Sequence, residues 1–152
     1  MAADTAKRQL RAYLSLSSVT IEEIAEGFLL SAEIKNTGQT PAFNVRQMSE
    51  SFSGYYPLSS QMPHPIPDVK HAAPIGAGEI FICAQRLFTE KPAQLLEQVS
   101  AGRLGFWIQG TVLYEDCFRE PHSVKFRYVF AGKMAGMGGV LLQADAEGNE
   151  AD

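Results

Sequence analysis

The sequence lacks most of the features that mark secreted, nucleic-acid-binding and membrane-surface proteins. It has only two cysteines in 152 residues, too few for a disulfide-dense scaffold. Its 13 basic and 17 acidic residues give a formal net charge of −4. The strongly basic surface of a nucleic-acid-binding domain is therefore not expected, and the chain has little electrostatic attraction for anionic membranes.

Long apolar runs are also missing. None approaches the roughly 18 residues of a membrane-spanning helix. The first residues, MAADTAKRQLRAY, lack the apolar stretch of a secretory signal peptide. The sequence as written therefore predicts a soluble protein, which stays in the cytoplasm if synthesis starts at this methionine.

The two cysteines, Cys83 and Cys117, leave their pairing open. In immunoglobulin domains a buried Trp packs against a disulfide that joins strands B and F. Trp107 lies between the two cysteines, but only ten residues before Cys117 and on the same predicted strand. This spacing disfavours an immunoglobulin-type disulfide, and the sequence does not decide any other pairing.

Alternation of apolar and polar residues is the clearest pattern in the chain. A period of two predicts strands with one buried face. Three segments place their apolar residues on one face in this way: Phe28, Leu30, Ala32 and Ile34; Leu104, Phe106, Ile108, Val112 and Tyr114; and Val124, Phe126, Tyr128 and Phe130. In the last segment Ser123, Lys125 and Arg127 fall on the opposite face.

Turn signals separate these strands. In KNTGQTPAFNVR, residues 35–46, Asn36 and Gly38 tolerate the positive φ of a tight turn, and Pro41 suits the first position of a strand. This segment predicts a turn between two antiparallel strands or between strands of facing sheets. The polar segment TIEEIAEG, residues 20–27, predicts a connection with about one helical turn.

These elements together predict the fold class. KPAQLLEQVSAG, with Pro92 near its start and Gly102 after its end, predicts one short helix. We expect a mainly all-β fold, an immunoglobulin-like β-sandwich of about seven strands with one short helix. Residues 1–11 would form a short exposed helix or an N-terminal lead-in, residues 12–131 the sandwich domain, and residues 132–152 a flexible acidic tail.

The least periodic part of the chain, residues 49–78, is rich in proline and predicts a long connection. Exposed aromatic residues on a proline-rich loop suit protein recognition. We expect the loop 52–76 and the hairpin 115–122 to form the binding face, through these residues: Tyr55, Tyr56, Met62, His64, Asp116 and His122. An equally weighted interpretation is that the loop covers a sheet edge or face and that its aromatic residues belong to the core.

Asp116, Cys117 and His122 share the predicted hairpin. As a catalytic set they would supply a thiol nucleophile, a base and an orienting carboxylate. Cysteine proteases, however, usually gather these groups from distant parts of the chain. The favoured interpretation is a turn in which Asp116 accepts backbone N–H bonds. A small cysteine-dependent hydrolase using Cys117 and His122 is the alternative.

Metal and cofactor signals are equally weak. His64, His71 and His122 could join Asp68 or Cys83, but no pair of them has the spacing of a zinc site. The glycines of GKMAGMGG lack the strand-then-helix context of a phosphate loop. We expect no metal, no cofactor and no nucleic-acid partner. A further alternative is a structural domain whose exposed strand edges pair with another copy.

Three segments together resemble a known group of proteins: RQLRAYLSL, IKNTGQTPAFNV and GTVLYEDCFREPHSVKFRY. In this order they are similar to uncharacterised bacterial proteins in which one or two N-terminal membrane helices precede a small soluble domain. Those proteins show an Arg-Ala-Tyr motif, an Asn-x-Gly-x-Thr-Pro-Ala turn, and a late Tyr-x-Asp-x-Phe hairpin followed by His.

The resemblance covers about residues 8–131 and implies no known activity. It implies membrane contact only through an upstream segment, since this chain begins where that segment would end. We therefore expect a non-catalytic binding or interaction module, related to membrane-tethered bacterial proteins, whose partner is another protein.

Overall fold

Strands make up most of the computed structural model, which describes residues 2–58, 62–131, 143–144 and 149–151. Along the chain its elements are α1 (Ala2–Leu10), β1 (Leu14–Ile24), β2 (Gly27–Asn36), β3 (Phe43–Tyr55), β4 (Val69–Lys70), β5 (Ile80–Phe88), α2 (Pro92–Ser100), β6 (Leu104–Glu115), β7 (Pro121–Ala131), β8 (Gln143–Ala144) and β9 (Glu150–Ala151). Neither helix of this described part has the length and apolar character needed to cross a membrane.

The strands form two antiparallel sheets. The first has the order β1-β2-β5, and the second has the order β4-β3-β6-β7-β8, with β9 also beside β7. The chain passes from the first sheet to the second between β2 and β3, returns to form β5, and passes back through α2 into the β6–β7 hairpin. The predicted all-β sandwich is confirmed, and its narrower assignment as immunoglobulin-like stays a prediction.

The core lies between the two sheets. The apolar face predicted for β2 is buried, as are the apolar residues predicted for β6 other than the half-buried Leu104. The ring of Phe28 in the first sheet lies 4.9 Å from that of Phe106 in the second. Full burial of an aromatic or branched side chain contributes about 1.5–3 kcal/mol, so this alternation supplies much of the stability of the sandwich.

One local prediction was wrong. Residues 20–24 are not a connection, because β1 continues to Ile24 and pairs with β2 as far as Gly27. Burial of Ile21 and the hairpin ladder outweigh the polar composition of this segment. The exposed α1 matches the short exposed helix that was one of the two alternatives for residues 1–11, and α2 is the helix predicted from Pro92 and Gly102.

The predicted connection over residues 49–78 is shorter than expected. Strand β3 continues to Tyr55, which lies opposite Leu104 of β6, and the two residues of β4 pair with β3 at Arg46 and Gln47. The reason is the long β3–β6 ladder, which continues past the point where clear alternation in β3 stops.

The predicted flexible acidic tail, residues 132–152, lies mostly outside the described residues. Its described parts pair with the outer edge of β7. Ala144 lies opposite Tyr128, and Glu150 lies opposite Lys125. The edge of the second sheet is therefore partly occupied by the chain's own C-terminal region.

Candidate functional site

The outer face of the second sheet is covered by residues 62–67, here called the proline-rich segment. Trp107, Gln109 and Thr111 alternate with the inward residues of β6, and all three are buried. Arg127 lies opposite Gln109 on β7 and is only 5% exposed. Strand β6 is thus buried on both faces, and Arg127 does not face solvent as the alternation in β7 indicated.

A chain of hydrogen bonds holds the proline-rich segment on this face. The side-chain amide of Gln109 donates to the carboxylate of Glu50 and, at 2.9 Å, to the carbonyl of Pro63. Nε of Arg127 donates to Oε1 of Gln109 at 2.9 Å, and its Nη2 donates to the carbonyl of Met62. A buried charge is tolerated when it is hydrogen-bonded and paired, and Gln109 links this guanidinium to a carboxylate.

Trp107 separates the roles of the two adjacent tyrosines. Its ring stacks on Phe52, with centroids 5.4 Å apart and planes 10° apart, and lies 6.3 Å from the ring of Tyr56. Tyr55 is 82% exposed. The interpretation of these aromatic residues as core therefore applies in part to Tyr56 and not to Tyr55, which is free to contact a partner.

A cavity of about 800 Å³ lies between the proline-rich segment and strands β6 and β7. Leu113, Lys125 and Arg127 line it from the sheet. Thr111 also lines it, and the buried hydroxyl of this residue has no hydrogen-bond partner among the described residues. The wall of the cavity combines cations, proline rings and the carboxylate of Glu150, a combination that suits an extended peptide better than a purely apolar ligand.

The structure separates the six residues predicted to form one binding face. Met62 and His64 line the cavity. Tyr55 and Tyr56 lie at the Leu104 end of β6. At the other end, Asp116 follows Glu115 and His122 lies opposite Tyr114. The 12 residues of β6 separate these two ends by about 37 Å at 3.4 Å per residue. The six residues therefore do not form one site.

Asp116 begins the β6–β7 turn and His122 lies near the start of β7. Both are buried, and Nε2 of His122 lies 2.7 Å from Oδ2 of Asp116. The other carboxylate oxygen accepts the N–H groups of Phe118 at 2.8 Å and Glu120 at 3.1 Å. Burial alone would raise the pKa of Asp116, but the bonds from His122 and from these two amides together lower it. The prediction that Asp116 accepts backbone N–H bonds in a turn is confirmed.

Potential metal ligands meet at this turn. Asp116, Glu120 and His122 bring one ligand atom each to within 4.8 Å of one another. Two of these residues are already hydrogen-bonded to each other, and Glu120 is exposed. By itself the cluster serves the turn and does not indicate a metal site. His64 and His71 lie elsewhere. His64 lines the cavity, and His71 follows β4, where its ring packs against that of Phe81 in β5 at 4.5 Å.

Both cysteines are free thiols. Cys83 is buried on β5, and burial raises its pKa to about 11. Cys117 is exposed, and its Sγ lies 3.9 Å from the carbonyl oxygen of Leu10. The two thiols therefore differ strongly in their access to solvent.

The three segments that carry the family resemblance meet at one end of the sandwich, around the buried Asn36. Its Oδ1 accepts the N–H groups of Tyr13 at 3.3 Å and Gly38 at 3.0 Å. Its Nδ2 donates to the carbonyls of Thr40 at 2.9 Å and Ile75 at 3.0 Å. One amide side chain thus joins the N-terminal segment, the turn and the segment that leads to β5.

Close packing at this end explains the glycine of the turn. A Cβ on Gly38 would lie 2.4 Å from the carbonyl oxygen of Arg11. The hydroxyl of Thr40 donates to the carbonyl of Leu10, and the N–H of Leu14 donates to the hydroxyl of Tyr114 at 3.3 Å. The turn and strand β6 therefore fix the end of α1 and the start of β1.

The sequence interpretation missed Glu50, Gln109 and Arg127. A signal for them was present, because Gln109 and Arg127 fall on the same face of two strands joined by a tight hairpin, next to Trp107. A long amide and a guanidinium beside a tryptophan indicate a face that something covers. The proline-rich stretch was long enough to be that cover.

Comparisons of the chain with protein-family models, with curated proteins and with solved structures gave no match. The resemblance to tethered bacterial proteins thus rests on the three quoted segments and stays a prediction.

Replacing Asn36 by Ala should lower the free energy of unfolding by about 3 kcal/mol or more. Four backbone groups lose a partner. The carbonyl of Ile75 still accepts the N–H of Ala42, and each buried group left unsatisfied costs about 1–3 kcal/mol. Urea denaturation measures the change. Gln39→Ala, at an exposed position of the same turn, is the control and should stay within about 0.5 kcal/mol of the original chain. A loss below about 1 kcal/mol for Asn36→Ala would contradict the role described here.

Asp116→Asn should make the fold less sensitive to acid. The pKa of Asp116 is lower in the folded chain than the value of about 3.9 expected when unfolded. Its carboxylate therefore stabilises the fold above about pH 4, and this contribution is lost as the pH falls further. Unfolding measured from pH 7 to pH 3 should show a smaller loss for Asp116→Asn than for the original chain and for Asp68→Asn, which changes an exposed carboxylate. An equal loss of stability between pH 7 and pH 3 in all three chains would refute this prediction.

Proposed function

We propose that the protein is a non-catalytic binding module that holds an extended segment of another protein in the cavity beside the proline-rich segment. The observation that carries this proposal is the buried network of Glu50, Gln109 and Arg127. The hydrogen bonds of this network hold the backbone of residues 62–63 on the outer face of the sheet. A cavity of about 800 Å³ stays open next to these residues. The cavity opens to solvent, so a segment of another protein can reach it.

The chemistry of the cavity wall suits a peptide. Proline residues hold an extended backbone with little conformational freedom to lose on binding. Ile66 is 86% exposed and supplies an apolar contact. Lys125 and Arg127 favour carbonyl or carboxylate groups, and the carboxylate of Glu150 can accept an N–H group of the partner. Binding pockets are usually lined by apolar side chains with a small number of polar groups among them.

The proposal includes an immunoglobulin-like assignment of the sandwich. With strands lettered in chain order, the first sheet corresponds to A-B-E and the strands β3, β6 and β7 to C-F-G of the immunoglobulin sandwich. The short β4 lies beside β3 and not in the first sheet. This order supports the assignment, and the link from such a sandwich to binding is one of analogy.

The proposal also includes a relation to membrane-tethered bacterial proteins. Its support is the set of four hydrogen bonds made by the side chain of Asn36. These bonds fix the direction in which the N-terminal segment leaves the sandwich. A rigid exit is useful in a domain held by an upstream anchor, because it determines which surfaces face away from the membrane.

The variant Ile66→Glu tests the cavity. Tagged full-length chains are used as bait in extracts of the source cells, with aqueous and detergent-solubilised membrane fractions quantified separately by mass spectrometry. A true partner should be recovered at least about tenfold less with Ile66→Glu, because a buried carboxylate opposes the apolar contact.

Phe88→Glu is the matched control, since Phe88 is 65% exposed and lies on β5 in the other sheet. It should recover the partner as the original chain does. Recovery that is equal for all three chains, or lost equally with both variants, would overturn the proposal.

Thiol labelling tests the alternative of a cysteine-dependent hydrolase. We expect Cys117 to react with iodoacetamide at the rate of an ordinary exposed thiol, and Cys83 to react only after unfolding, because burial raises its pKa to about 11. Peptide mass spectrometry over time assigns each site, with Cys117→Ser as the control. Labelling of Cys117 far faster than that of glutathione, and slowed in His122→Asn, would favour the hydrolase.

A further inference from the structure

Within the described part of the chain, the outer edge of β7 pairs with two short segments of the C-terminal region. On its inner side all 11 residues of β7 lie opposite residues of β6. On its outer side the pairs described involve four of its residues: Val124, Lys125, Tyr128 and Val129. These pairs come from two strands of two residues each, β8 and β9. A sheet edge with free backbone groups is a template for pairing with another chain.

Asn149 completes the ladder in the middle of this edge with its side chain. The N–H of Arg127 donates to Oδ1 of Asn149 at 2.9 Å, and Nδ2 of Asn149 donates to the carbonyl of Arg127 at 3.0 Å. A carboxamide thus takes the place of a neighbouring strand. Because the backbone groups of Arg127 point outward, those of Lys125 and Val129, two residues away on either side, point to the same edge.

The two faces beside this edge differ in chemistry. On one side a groove of about 270 Å³ runs between the sheets. Its apolar lining comes from Leu16 of β1 and from Val124, Phe126 and Tyr128 of β7, and Lys125 and residues 149–151 also line it. On the other side lie Lys125 and Arg127. A strand added here would alternate between the two faces, so apolar or small residues would face the groove and acidic residues would face the cations.

We propose that the outer edge of β7 is a strand-addition site for a partner protein and that residues 149–151 occupy it within the chain itself. The partner segment would place a carboxamide opposite Arg127 and an acidic residue beside Lys125, as Asn149 and Glu150 do. It would turn small or apolar residues toward the groove, as Ala151, opposite Val124, does.

A longer partner strand has an advantage over the chain's own segment. It can add main-chain pairs at residues of β7 other than the four that pair with β8 and β9, and main-chain bonds supply the affinity in this mode of recognition. The inference rests on the proposed function only in that the partner is a protein. It uses the main chain of β7, whereas the cavity also uses side chains of the proline-rich segment such as Ile66. Lys125 and Glu150 line both surfaces.

Binding of the chain's own peptide tests this site. The probe is a fluorescent peptide of residues 143–152, QADAEGNEAD, and the proteins are full-length chains. Asn149→Ala removes two bonds from the internal competitor, so this chain should bind the probe at least about tenfold more tightly than the original chain does. A probe that itself carries Asn149→Ala should bind the Asn149→Ala chain at least about tenfold more weakly.

Amide hydrogen exchange followed by NMR gives a second readout. In Asn149→Ala the N–H groups of Lys125, Arg127 and Val129 should exchange faster, and the probe should protect them again. The N–H groups of Phe126 and Tyr128 point toward β6 and serve as internal controls.

Three outcomes would overturn the proposal: equal probe binding by both chains, no change in exchange at Arg127, or a concentration-dependent dimer of Asn149→Ala that excess probe does not disperse. Ile66→Glu separates this inference from the cavity proposal. It should leave probe binding unchanged, so a failed cavity test does not count against the edge, and a failed edge test does not count against the cavity.

Discussion

The double burial of β6 is the constraint on which the rest of this structure depends. Its inner face packs in the sandwich, and its outer face carries Gln109, whose amide must find partners once water is excluded. Those partners are Glu50, Arg127 and the carbonyl of Pro63. The need of the buried Gln109 amide for hydrogen-bond partners therefore positions the proline-rich segment, and the cavity beside it follows from that position.

The residues that give the sequence its most recognisable motifs serve the architecture. Asn36 holds the N-terminal segment against the turn, and Asp116 and His122 close the β6–β7 hairpin from inside. With these side chains engaged in the fold, the accessible surfaces are the better places to look for a partner. The cavity and the β7 edge are both accessible and lie on either side of Lys125 and Glu150.

One strand supports both proposed surfaces. Arg127 uses its guanidinium to hold the proline-rich segment and its main chain to bond Asn149. A partner bound at the edge would therefore lie next to the wall of the cavity. Since interfaces join an apolar centre to a polar rim, the groove beside Phe126 and the cations beside the cavity together offer both kinds of contact.

Local pattern alone determined several elements of this protein. The period of two in residues 27–35 predicts β2 and its buried face, and Pro92 and Gly102 predict α2, because these signals depend on backbone geometry. Only the tertiary structure decided that Arg127 is buried and that the six predicted binding residues are split between the cavity and the two ends of β6. Alternation determines which side of a strand a residue faces, whereas the packing of distant segments decides what covers that side.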